Sequence, residues 1–231
     1  MNDLNLLHQP TLNHHLFQAK YWLDASLQGE NTANMSYAAL ELRFTIERLA
    51  VHYWATISNQ TLGQIDLTDL KFDNVRRRVI EIAGHQKKIN SHFIFAKILI
   101  NHIKIDPYIH TPNLGDLHSF WSDCSEMCHI GWPLRIFGNE DSKIHFERLL
   151  EIARNLTDSI QSLSWPLFDD PEIDALRQKF IADKISAEVV VEYLNRKGVY
   201  AVFESNTGAR QFIGEPVAPN SYFKAATCKE S

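Results

Sequence analysis

The stretch SYAALELRFTIERLAVHYWATIS, residues 36–58, contains neither glycine nor proline and is long enough for about six helical turns. Set on a wheel at about 100° per residue, it places Ala38, Leu42, Ile46, Leu49, Tyr53 and Ile57 on one apolar stripe. Leu40, Phe44, Val51 and Trp54 form a second stripe on nearly the opposite side. The wedge left for solvent holds Glu41, Thr45, Arg48 and His52. A helix apolar over so much of its circumference belongs in the middle of a bundle. Arg43 and Glu47 fall outside that wedge, between the two stripes, and are therefore expected to be buried. They stand four residues apart, within reach of each other, and an unpaired buried charge would cost several kcal/mol. The expectation is a buried structural ion pair that fixes helix register; the competing reading is a polar site lining an interhelical groove.

Outward from this helix, similar patterns predict helices near 10–28, 69–83, 114–130, 141–163, 172–182 and 187–197, with the central one over 35–58. Residues 91–105, SHFIFAKILINHIKI, have the length of a helix and the isoleucine and phenylalanine content of a buried strand, and are read as helix. Pro166 and Pro171 oppose a continuous helix through 164–171 and mark a boundary there. The expected domains are therefore a helical bundle over 1–165 and a small helix–helix–hairpin module over 166–231. In that module Ser186 is the expected N-cap and Gly198 the expected C′ residue of the last helix. Residues 199–203 and 210–213 bracket the polar turn Ser205-Asn206-Thr207-Gly208 as a β-hairpin. The fold class is mainly α, an antiparallel bundle with a small C-terminal α+β element.

Composition removes several classes of function. With 45% apolar and 22% charged residues the chain is neither disordered nor a polybasic tail, and 23 basic against 28 acidic side chains leave a net charge of −5. No apolar run approaches the roughly 18–20 residues of a membrane span, so no membrane partner is expected and a cytoplasmic location is. Cys124, Cys128 and Cys228 give no disulfide framework. The sequence has no glycine-rich phosphate loop, no Gly-x-Ser-x-Gly elbow and no His-Glu-x-x-His helix.

The segment Tyr37-Ala-Ala-Leu-Glu-Leu-Arg-Phe-Thr-Ile-Glu-Arg-Leu49, preceded by Ala19-Lys-Tyr-Trp-Leu23, resembles the first helical hairpin of bacterial HEPN-like proteins. The resemblance implies an antiparallel bundle, often dimeric, in toxin–antitoxin, abortive-infection or RNA-processing systems. Active members are metal-independent ribonucleases built on Arg-x4–6-His, in which histidine moves a proton and arginine stabilises the phosphorane. One match is present, Arg78 to His85. Eleven arginines and eleven histidines would produce one or two such spacings by chance. Val79 also follows the arginine where a polar residue is usual, and Gly84 is expected to end the helix before His85.

Arg76, Arg77, Arg78, Lys87 and Lys88 form the one dense basic run and are the candidate phosphate-binding residues. His118, Cys124, Cys128 and His129 carry zinc-ligand chemistry. However, Leu117, Trp121, Cys124 and Cys128 share a helix face, so the expected reading is an apolar seam with two inert thiols and no metal. The order helix, helix, hairpin in the tail also suits a winged helix. Residues 172–231 nonetheless hold eight basic and eight acidic side chains, and Glu188 and Glu192 lie on the helix that would read DNA. The expectation is thus a non-catalytic, cofactor-free helical interaction component of a bacterial defence or toxin–antitoxin system. It would bind a protein partner or a second copy of itself, with RNA next in order and DNA disfavoured. The alternatives are a ribonuclease toxin using Arg78 and His85, and a winged-helix nucleic-acid binder.

Overall fold

The computed structural model describes residues 11–60, 77, 79, 81–104, 111–129, 131–133, 139–161, 165–197, 200–204, 210–213 and 222–226. These residues are mainly helical. The helices are α1 (Leu12–Ala25), α2 (Thr32–Ser58), α3 (Gln86–His102), α4 (Gly115–Met127), α5 (Asn139–Gln161), α6 (Pro171–Ile181) and α7 (Ala187–Arg196). The expected helix at 69–83 lies mostly outside the described residues. Of the ambiguous stretch at 91–105, residues 91–102 belong to α3.

Contacts gather the chain into two compact units, one of residues 1–50 and 115–160, the other of 51–114 and 161–231. The division runs through α2 and not through the break expected near residue 165. Part of the reason is local to the second unit, where residues 166–181 pack on α3 instead of standing apart as a tail module.

In the first unit, Thr11 caps α1 by accepting a bond from the His14 amide at 3.1 Å. The α1–α2 connection is tight: Leu27, Gln28 and Gly29 all have positive φ, at 54°, 57° and 97°. At Gly29 the glycine is required twice, by that backbone and by space, since a Cβ there would meet the Ser142 carbonyl oxygen at 3.0 Å. The Ser142 hydroxyl donates to the Gly29 carbonyl, tying the connection to the start of α5. Leu16, Ala19 and Leu23 of α1, Met35, Leu42, Ile46 and Leu49 of α2, Leu117 and Cys124 of α4, and Leu149, Ile152 and Leu156 of α5 are buried.

The α2 wheel needs one correction. Its first apolar stripe is in the core from Ala38 to Tyr53, with Ile57 half-buried, but Thr45, assigned to solvent, is fully buried. Arg48 is half-buried, and burial lowers its pKa. The exposed strip lies instead over Tyr37 and Phe44, with Leu40, Val51 and Trp54 half-buried beside it. The threonine is accommodated because its hydroxyl donates to the Glu41 carbonyl at 2.9 Å, which satisfies it within the helix and leaves a methyl for the core.

In the second unit, α2 ends in a Schellman turn. The Gln60 amide donates to the Ala55 carbonyl at 2.9 Å and the Asn59 amide to the Thr56 carbonyl at 3.0 Å, with Asn59 at φ 54°. The Asn59 side chain then pairs with both backbone groups of Phe168, donating to its carbonyl and accepting from its amide, each at 2.8 Å. Helix α3 packs on α6 and α7. Phe95 lies between Phe168 and Phe180, with ring centroids at 5.2 and 5.8 Å. Asp170 caps α6, accepting from the amides of Glu172 and Ile173 at 2.7 and 3.1 Å, with Pro171 at the first helical position. Ser186 is the N-cap of α7; Gly198 lies outside the described residues.

Four strands, β1 (Trp165–Leu167), β2 (Tyr200–Glu204), β3 (Arg210–Ile213) and β4 (Tyr222–Ala226), form one sheet in the order β1-β4-β2-β3. Strands β2 and β3 pair antiparallel from Ala201↔Ile213 to Glu204↔Arg210, and the turn expected between them lies outside the described residues. The sequence reading included neither β1 nor β4. Strand β4 pairs antiparallel with β1 and parallel with β2. Pro166, which lacks an amide donor, sits in β1 at an edge of this order, the place in a sheet where proline is tolerated.

Candidate functional site

Arg43 and Glu47 meet as expected across one helical turn, Arg43 Nε donating to Glu47 Oε1 at 2.8 Å. A third residue joins them. Trp121 Nε1 of α4 donates to the same oxygen at 2.9 Å, and the Arg43 guanidinium carbon lies 5.3 Å from the centre of the Trp121 ring. The pair is less enclosed than expected: the two side chains remain 12% and 14% exposed. What the wheel could not show is that one carboxylate oxygen fastens α2 to α4. Glu47→Ala removes the acceptor from two donors at once. Urea denaturation is expected to show a loss of about 2 kcal/mol, between the roughly 0.5 kcal/mol of a surface change and the 3–5 kcal/mol of a fully buried broken pair.

The two thiols lie close to this cluster. Cys124 is buried and Cys128 half-buried, while His118 and His129 are exposed. Burial pushes the Cys124 thiol well above its ordinary pKa and the Cys128 thiol up to about 11. Both are neutral near pH 7 and weakly nucleophilic. Among the described residues no group of histidine, cysteine and carboxylate side chains is arranged to hold a metal ion.

The ribonuclease candidates are divided by what is described. Arg78 and Arg76 lie outside the described residues. His85 follows the turn at Gly84, half-buried at the N-cap of α3, with its ring 5.9 Å from Trp54 and its backbone carbonyl accepting from Ile89. In the basic run, Arg77 is exposed and 3.6 Å from Glu81, and Lys87 is exposed and bonded to Asp183 at 2.5 Å. Lys88 is exposed. Two of the three described cations thus already face a carboxylate, which weakens the run as a phosphate-binding surface.

A larger polar cluster escaped the sequence reading. His92 is fully buried on α3, and Arg177 of α6 is 4% exposed. Arg177 Nη1 lies 3.3 Å from His92 Nδ1 and donates to the Ile57 carbonyl at 3.1 Å, while its Nε donates to Asp174 Oδ1 at 2.7 Å. His92 Nε2 reaches the Pro166 carbonyl at 3.0 Å. Burial, and after it the Arg177 charge, hold the His92 pKa down to about 3. The sequence did carry a faint sign of this: a histidine inside the apolar run SHFIFAKILI has to find partners indoors.

The chain matches no family model, no curated protein and no solved structure. No helix among the described residues is long and apolar enough to cross a membrane.

The remaining feature is a surface. Phe17 and Tyr21 on α1 and Tyr37 and Phe44 on α2 are 67%, 55%, 51% and 37% exposed. Three of them meet half-buried neighbours, and Phe17 lies one turn before Tyr21 on α1. The Trp22 ring lies 5.2 Å from Tyr21 and 5.0 Å from Tyr37, and the His15 ring 5.4 Å from Phe44. His15 is itself held by Glu41 at 2.6 Å. One helical hairpin therefore presents several aromatic rings to solvent on a scaffold that fixes their positions.

Proposed function

We propose that the chain is a non-catalytic helical binding component of HEPN-like type, presenting the aromatic face of α1 and α2 to a protein partner. The exposure of Phe17, Tyr21, Tyr37 and Phe44 on one hairpin carries this reading. Aromatic side chains supply much contact area for little lost rotamer entropy, and contiguous exposed apolar surface marks interaction sites. The neutral thiols and the carboxylate-paired lysine and arginine agree with a binding role. The setting, a bacterial anti-phage or toxin–antitoxin system, rests on the resemblance of residues 37–49, and the cytoplasmic location on the apolar-run and cysteine pattern of the sequence.

The test compares the natively expressed chain with a Phe17→Ser, Tyr21→Ser variant. A protein that co-purifies stoichiometrically with the first should be lost from the second, with thermal stability lowered only by the loss of the single Tyr21–Trp22 ring contact, about 0.5–1.5 kcal/mol. Retention of the same partner by the variant overturns the assignment of the surface. Metal-independent RNA cleavage in EDTA that disappears in an Arg78→Ala, His85→Ala double variant overturns the non-catalytic role.

A further inference from the structure

The contacts of His92 fix its protonation state. A guanidinium can only donate hydrogen bonds, so the Nδ1 that faces Arg177 at 3.3 Å must present its lone pair. The ring proton is then on Nε2, donated to the Pro166 carbonyl. The imidazole is thus a neutral connector between α3 on one side and β1 and α6 on the other. A second proton, on Nδ1, would set an N–H against an N–H and a cation against a cation inside the packed unit. Among the described residues the charged groups bonded around His92 come from one helix. Helix α6 contributes Arg177 and Asp174, and the Asp174 carboxylate is already engaged by Arg177 Nε. Strand β1 and the end of α2 contribute carbonyls, and the rings of Phe93 and Phe168 complete the surroundings.

We propose that the His92–Arg177 contact is an acid-sensitive latch, in which proton uptake by His92 frees residues 165–181 from α3. This inference is independent of the aromatic binding surface. The sign follows from linkage. The closed form binds its proton with a pKa of about 3, whereas an opened, solvated histidine binds with the ordinary value of 6.5. Between those values the opened form carries one more proton, so closure is favoured above pH 6.5 and weakens as pH falls. The opening equilibrium rises by up to about tenfold per pH unit, and by about 25-fold from pH 7 to pH 5.

Hydrogen exchange followed by mass spectrometry on the full chain, corrected for intrinsic amide exchange at each pH, reads this directly. Peptides within 165–181 should open about 25-fold more at pH 5 than at pH 7, while peptides within 12–25 change little. In His92→Gln, whose amide can still accept from Arg177 and donate to Pro166 without titrating, the change should fall to threefold or less. An equal rise in His92→Gln, no rise in the parent chain, or an equal rise over 12–25 would each overturn the latch. Should His92→Gln not fold, imidazole NMR and exchange of the parent chain decide together: a ring that stays neutral in the folded form down to pH 4 while 165–181 opens more as pH falls supports the latch, and one that titrates near 6.5 while folded rules it out.

Discussion

Arg177→Met is expected to destabilise the fold by about 3–5 kcal/mol, read as a lowered urea midpoint at constant slope. The methionine keeps most of the apolar stem, so the loss reports the guanidinium and not an empty volume. Three acceptors lose a donor together: His92 Nδ1, the Asp174 carboxylate and the Ile57 carbonyl. His92 is fully buried, and its bare nitrogen then carries a desolvation cost with nothing in return. Arg177→Lys should recover only part of the loss, because a single ammonium cannot direct separate N–H groups at acceptors lying in different directions. A change below about 1 kcal/mol in the methionine variant would mean that these contacts contribute little to the folded state.

Phe95→Ala is expected to cost a similar 3–5 kcal/mol, for a different reason. Phe95 is fully buried and its ring meets Phe168 and Phe180 edge-on or tilted. Truncation removes the burial of the ring and two aromatic contacts, and it leaves a hole lined by α3, α6 and the end of β1 that rigid helices close only in part. Phe95→Leu should cost less, about 1–2 kcal/mol, since most of the volume remains. Thermal unfolding of both variants gives the comparison, and a loss in Phe95→Ala no larger than in Phe95→Leu would show that the site collapses freely.

The helices were legible because their signals are local. Apolar spacing, the Asp170-Pro171 start and the Ser186 cap lie within a few residues of what they determine. The Arg43–Glu47 pair was legible for the same reason, being one turn long. Trp121 was not, since its bond to Glu47 spans 74 residues. The α2 wheel went wrong at Thr45 because hydropathy counts a hydroxyl as polar without asking whether its own helix can satisfy it. Strands β1 and β4 were missed because β1 is three residues long and contains a proline, and its partner lies far along the chain. Arg177 was invisible for a related reason: its location indoors depends on His92 and Ile57, 85 and 120 residues away. The aromatic face was readable as composition on α1 and α2, but not as a surface until the half-buried Trp22 and His15 rings joined three of its members.

The order β1-β4-β2-β3 has a consequence for assembly on the ribosome. Of the described strands, β4 is synthesised last, yet it stands between β1 and β2. Until residues 222–226 clear the exit tunnel, β1 has no partner among the described strands and β2 pairs, among them, only with β3. Completion of the sheet therefore waits for β4, whose pairing with β1 joins Trp165 to Ala226. A nascent chain halted before that point would display two open ladders, the kind of surface that chaperones cover and that aggregates recruit.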